Sequence, residues 1–254
     1  MNFSKYLSFL LALSVLPAAK GAAAAITKTD FVCHEGNGPY LVLVHGLSWF
    51  RDSNKIATDF FCKAGYHVIA VQYDSRKIAD ASDAVAVLRR VVAQTCVDRT
   101  RLINFLGHSL GAIVIRQYLA ETPPPRLGRV VLMGCPNQGT ALANALPRLP
   151  ALKRVFGGAA AQLGTHEGSL PNTLGPAPYR PGIIMGGRSM FPFLSPFVPG
   201  RDDGVVGVES GRLKGMGDFL VLPTTHTYLP RCEVAIVEAD SFFKTGKFLP
   251  WPPR

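Results

Sequence analysis

The chain has 254 residues, 48% hydrophobic and 17% charged, which is enough apolar material for one substantial core and excludes a disordered polymer. Its formal net charge is +10, yet the basic residues are scattered and do not interleave with aromatics as in grips for single-stranded nucleic acid, so no nucleic-acid partner is read. A basic surface of this kind is either plainly solvated or drawn to anionic lipid, which leaves a membrane-surface association open.

In chain order, Lys5 supplies a positive start, Leu7 to Leu16 a short apolar run, Pro17 a break, and Ala22 to Ala25 an Ala-x-Ala cleavage site. Residues 1–25 therefore read as a secretory signal and 26–254 as a single mature domain, placed in a periplasm or outside the cell. The apolar run is too short to span a bilayer, which takes about 20 residues. Export removes Lys5 and Lys20 from the charge and puts Cys33, Cys62, Cys96, Cys135 and Cys232 where disulfides form. Their spacing shows no CxxC pair or Cys/His cluster, so no metal site is expected; one disulfide is, with its partners undetermined.

Tyr40 to His45 is a β-branched apolar strand ended by Gly46. A helix follows over Ser53 to Lys63, with Ile56, Phe60 and Phe61 on one side and Gly65 closing it, then a strand over His67 to Gln72. Asp80 to Gln94 has helical spacing, and Arg101 to Leu106 is a strand running into GHSLG at 107 to 111. The helix after Ser109 ends near Glu121, before Pro123-Pro124-Pro125, and Arg129 to Met133 is the next strand. Such alternation predicts an α/β fold with a doubly wound, mostly parallel sheet, whose ligands gather at the carboxyl ends of the strands. That edge collects Gly46-Leu47, Ser109 and Gly134-Cys135-Pro136-Asn137.

Residues 140–181 break the rhythm, with one amphipathic segment, Ala141 to Phe156, and then a Gly/Pro/Ala-rich run. This stretch reads as a lid-like insertion above the sheet edge. Strands resume over Gly182 to Gly186 and Asp218 to Leu222, and a last helix covers Arg231 to Phe243.

A lone serine between glycines, after a strand and before a helix, suits a sharp turn that leaves its hydroxyl exposed at the tip. A serine hydroxyl attacks only when a base takes its proton and a third group orients that base. GHSLG resembles the nucleophile elbow of the α/β-hydrolases, and that resemblance implies that the acid and then the histidine follow the serine. Of the later histidines, His166 lies in the insertion with no strand before it, whereas His226 lies in the loop after Asp218 to Leu222. His34 and His67 read as structural, His45 as packing or loop-orienting, and His108 as part of the turn. For the acid, Asp218 begins its strand and faces the opposite edge, while Asp202 and Asp203 follow Gly182 to Gly186. Neighbours in an extended loop point opposite ways, so only one of the two meets His226, and the residues alone do not say which. Oxyanion donors are expected from the Leu110 amide at the helix start and the Leu47 amide after the first strand.

Together these segments resemble the secreted and periplasmic bacterial serine esterases and lipases of the α/β-hydrolase superfamily. VLVHGL at 42 to 47 is similar to the family's oxyanion segment, GHSLG to its elbow, and GCPNQGT at 134 to 140 to the segment after the next strand. DDGVVGVES at 202 to 210 and VLPTTHTYL at 221 to 229 resemble its acid and histidine loops. The resemblance implies an α/β-hydrolase fold and assigns the acid to Asp203, directly before Gly204, leaving Asp202 to face solvent or Arg201. Cys135 and Ala112 depart from the usual small or hydroxyl residue and glycine, which bears on substrate preference more than on the triad.

The expected protein is an exported hydrolase of carboxylic esters with Ser109, Asp203 and His226 as triad, Leu47 and Leu110 as oxyanion hole, and no cofactor. Acyl lipids are the expected substrates because Ala141 to Phe156 and the Phe191-Pro192-Phe193-Leu194 and Phe197 cluster would line an apolar entrance, a role that ordinary core packing would also fill. An acyltransferase, or a deacylase of lipid-linked or cell-envelope components, would use the same residues and differ in passing the acyl group to an alcohol. A non-catalytic binding or secretion-helper protein on a hydrolase scaffold is the alternative of another class, and the intact Ser, Asp, His set counts against it.

Overall fold

The structure is a computed structural model that describes residues 31–47, 54–75, 77–78, 80–145, 158–189, 198 and 200–250. The signal segment, most of the amphipathic segment 141–156 and the phenylalanine cluster at 191–197 lie outside the described residues.

Seven strands form one sheet in the order β1-β3-β2-β4-β5-β6-β7. These are β1 (Phe31–His34), β2 (Tyr40–Val44), β3 (His67–Val71), β4 (Ile103–His108), β5 (Leu127–Met133), β6 (Gly182–Gly186) and β7 (Asp218–Leu222). Every pairing is parallel except β1 with β3, where Phe31 faces Val71 and His34 faces Val68. The main helices are α1 (Lys55–Lys63), α2 (Ala81–Thr95), α3 (Leu110–Glu121) and α4 (Glu233–Thr245).

Strand side chains alternate between two cores, one on each face of the sheet. Val42 and Val44 of β2, Ile69 of β3 and Phe105 of β4 meet Val85 and Leu88 of α2 and Ile113 of α3 on one face. Leu41, Leu43, Val68 and Leu106 meet Phe61 of α1 and Ile236 and Phe242 of α4 on the other. This two-sided burial explains why the strands read as continuous apolar runs.

Most elements fall where the sequence places them, with shifts at their ends. β4 runs on to His108 because the chain turns only after that residue, and α4 starts at Glu233 because Leu229–Arg231 forms a separate 3-10 turn. β1 was not anticipated: its four residues are mostly exposed at an antiparallel edge and carry no burial pattern. All five cysteines are free thiols, so the expected disulfide is not formed. Cys96 packs against the α2–α3 core, Cys62 and Cys232 lie on the opposite face, Cys135 is buried against Asn137, and Cys33 is engaged with His67.

The described part of the insertion from Gly158 onward joins the body of the protein. Ala159, Ala160, Leu163 and Ala177 enter the α2–α3 core, and the Gln162 side chain accepts from Ala81 N–H at the start of α2 while donating to Asp80.

From β2 the chain moves to β3 on one side and from β4 it moves to β5 on the other, so the carboxyl ends of β2 and β4 flank a topological switch point. Gly111 is the residue that lets α3 start there. A Cβ at this position would overlap the carbonyl oxygens of Val44 and His45, and backbone cannot step aside. Gly111→Ala is therefore expected to lower stability by about 2 kcal/mol or more, checked by urea unfolding, because overpacking against rigid atoms costs about 1–3 kcal/mol.

Candidate active site

Ser109 sits between β4 and α3 with φ 54° and ψ −124°, one of two non-glycine residues with positive φ among those described. A strained backbone at a serine, held by packed elements on both sides, is the kind of feature that functional sites retain. The Ser109 N–H donates to the Met133 carbonyl at 2.9 Å, tying the turn to β5.

His226 Nε2 lies 2.9 Å from Ser109 Oγ, and its Nδ1 lies 2.8 Å from Asp203 Oδ2. A carboxylate only accepts, so Nδ1 carries the proton and Nε2 presents its lone pair to the serine hydroxyl. Asp203 is wholly buried, and its other oxygen accepts the N–H groups of Val205 at 3.0 Å and Val206 at 2.8 Å. The His226 N–H also donates to the Asp203 carbonyl at 2.8 Å, so the acid and histidine loops are joined through backbone as well as side chains.

Asp202 departs from the expectation that it faces solvent or Arg201. It is buried, its Oδ1 accepts the Gly204 N–H at 2.7 Å, and Arg201 instead donates to the Gly187 carbonyl. The loop folds back through a bridge between Asp202 and Gly207, which draws the Asp202 carboxylate inward to cap the turn.

Close approach below these side chains depends on glycine. A Cβ on Gly46 would come within 2.7 Å of the Ser109 Cβ, and one on Gly134 within 3.1 Å of His226 Nδ1. Leu110 opens α3, so its N–H has no acceptor within the helix, and Leu47 follows Gly46 at the end of β2. Both proposed donors thus lie on the edge that carries Ser109. The segment ahead of Leu47 is braced from β3: Tyr73 O–H donates to the His45 carbonyl, and the two rings stack at 4.3 Å between centroids. His45 Nδ1 donates to the Gly46 carbonyl at 2.8 Å. Burial drives the Tyr73 phenol upward, so it remains a protonated donor.

The 134–140 segment links this edge to the acid loop. Asn137 accepts from buried Arg116 at 3.2 Å and donates to the Gly211 carbonyl at 2.6 Å, and the Thr140 hydroxyl donates to the Val205 carbonyl. Cys135 is fully buried with its thiol pushed up to about 12 by burial, which makes it packing rather than a nucleophile.

Sequence reasoning brought Ser109, Asp203 and His226 to one edge, and the structure brings them into hydrogen-bond contact. The sequence placed Asn137 on the same edge without giving it a partner, and it did not point to Tyr73 or Arg116. A tyrosine two residues past the carboxyl end of β3 was a usable signal for Tyr73, whereas Arg116 acts only through tertiary contacts. Among the described residues no group of three or more His, Cys, Asp or Glu side chains is placed to hold a metal ion, and no helix is long and apolar enough to cross a membrane. A cleft of about 330 Å³ lined by Leu222, Pro223, Thr225 and Tyr228 lies beside the histidine loop without including Ser109.

Comparison with known proteins places the architecture. Mature BlEst2, a lipase of Bacillus licheniformis, superposes with a TM-score of 0.65 at 17% identity, covering 86% of this chain and 98% of that one. Phospholipase PlaB of Legionella pneumophila gives 0.60 at 15%, covering 74% of this chain and 53% of its own, so the present chain spans about half its length. The metagenomic carboxyl esterase MGS0156 gives 0.57 at 19%, covering 74% and 64%. No curated protein matches the sequence. At these identities the likenesses speak for the fold, but the sequence itself matches the alpha/beta hydrolase family over residues 41–240, and the chain belongs to that family.

Proposed function

We propose that the protein is an exported serine hydrolase of carboxylic esters, acting on acyl lipids. The observation that carries the reading is the hydrogen-bonded line from Ser109 through His226 to Asp203. Ser109 Oγ attacks the ester carbonyl while His226 Nε2 takes its proton. The imidazolium is stabilised by Asp203, and the same proton then goes to the departing alcohol. Water, activated by His226 in turn, releases the acid. The Leu47 and Leu110 amides hold the oxyanion, each donor worth about 3 kcal/mol in comparable sites. No cofactor enters this scheme. Export rests on the signal read in residues 1–25, and the lipid preference is supported by the likeness in fold to a lipase and a phospholipase.

A fluorophosphonate probe should label Ser109 in the folded protein, and hydrolysis of nitrophenyl esters should rise with acyl chain length. Absence of labelling would leave a non-catalytic binding protein, and an acyl group that passes from the ester substrate to an added alcohol faster than to water would make the protein an acyltransferase. Tyr73→Phe is expected to reduce kcat by roughly tenfold with little change in KM, and to cost about 1 kcal/mol of stability through the lost donor to His45. Steady-state kinetics with a short-chain ester and a melting curve would check both.

A further inference from the structure

His108 lies outside the proposed chemistry yet touches it at one atom. Its Nε2 is 3.0 Å from the main-chain oxygen of His226, and the two rings lie 4.8 Å apart at an angle of 45°. A carbonyl only accepts, so Nε2 carries a proton and donates. Burial lowers His108 well below the usual histidine range, and the nearness of two further imidazoles, His226 and then His45, also disfavours a charge on it, so the ring is a neutral donor with a bare Nδ1. That Nδ1 is turned toward Gly46, 3.3 Å from where a Cβ would stand.

The bonds that hold His226 divide in an informative way. Its Nε2 meets Ser109, while its Nδ1 and its N–H both meet Asp203. The carbonyl bond to His108 comes from neither residue, and it joins the histidine loop directly to the last residue of β4, immediately before Ser109. His226 must also become positively charged when it takes the serine proton, and a cationic donor in the place of His108 would oppose that step. A neutral imidazole donates without doing so.

We propose that His108 is a positioning residue for His226: an uncharged donor that fixes the main chain of the base relative to the nucleophile. The proposal rests on the serine-hydrolase reading above, and the test separates the two. His108→Leu removes the donor at similar bulk, and His108→Gln keeps a neutral N–H donor. In the leucine variant kcat for a short-chain ester should fall by about 10- to 100-fold with KM within about twofold, since small misplacements of a reacting group cost rates of that order. The glutamine variant should recover most of the loss. The downfield NMR resonance of the His226 Nδ1 proton, held by Asp203, should shift or broaden in the leucine variant and stay in place in the glutamine variant.

Equal kcat in the two variants, or an unmoved resonance in both, would overturn the role of His108. If the leucine variant does not fold, His108→Asn, whose shorter amide falls short of the carbonyl, replaces it with the same expectations. Wild-type protein that fluorophosphonate does not label would overturn the hydrolase reading, while the NMR comparison would still report on the positioning bond.

Discussion

Ser109→Ala is expected to abolish ester hydrolysis and leave the fold intact. Removing a member of a serine triad costs about 10⁴-fold or more in turnover, because the covalent route is lost and only binding and oxyanion stabilisation remain. Folding should survive, since among the described residues the Ser109 hydroxyl bonds only to His226, while the turn is held by its backbone bond to Met133 and by Gly111 seated against β2. The alanine keeps the same positive φ, so the strain of the turn is unchanged in kind. Kinetics with a nitrophenyl ester and a circular dichroism melt check the two halves, and retention of a tenth of the activity would remove Ser109 as nucleophile.

Asp203→Asn should show a collapse of similar size, on the order of 10⁴ in turnover, because an amide cannot favour the imidazolium and turns the histidine toward the wrong tautomer. Asp202→Asn should remain within about tenfold of wild type. Its role is to accept the Gly204 N–H at 2.7 Å, which an amide oxygen also does. Asp202→Ala leaves that buried N–H without its acceptor and should cost about 1–3 kcal/mol of stability. The contrast between the asparagine and alanine variants therefore distinguishes a turn cap from an acid. Comparable collapse in both asparagine variants would mean that the two carboxylates share the task.

The α/β architecture was legible because its causes are local. β2, β3 and β6 are five-residue strands built on short apolar runs, and α2 carries its apolar positions at helical spacing behind an Asp80 cap. The elbow was legible for the same reason, since a residue flanked by glycines between a strand and a helix admits few backbone paths. By contrast β1 is four mostly exposed residues whose only pattern is pairing with β3, and the bonds from Tyr73 to His45 and from the His226 N–H to the Asp203 carbonyl join positions that chain order does not relate.

The sequence by itself determined which residue types stand at the carboxyl edge of the sheet: a serine in a tight turn, a histidine after the last strand, and two adjacent aspartates before a glycine. Neighbouring in one loop, those aspartates were equivalent by residue type, and the resemblance, together with the turning freedom of Gly204 after Asp203, favoured the second. Their burial and partners were decided by the tertiary structure, which folds the loop through the Asp202–Gly207 bridge so that one carboxylate closes its own turn and the other reaches His226. The two share the same local chemistry, so only the direction in which the packed loop turns each side chain distinguishes them, and that direction is set by contacts with Thr140 and His226, residues distant in the chain.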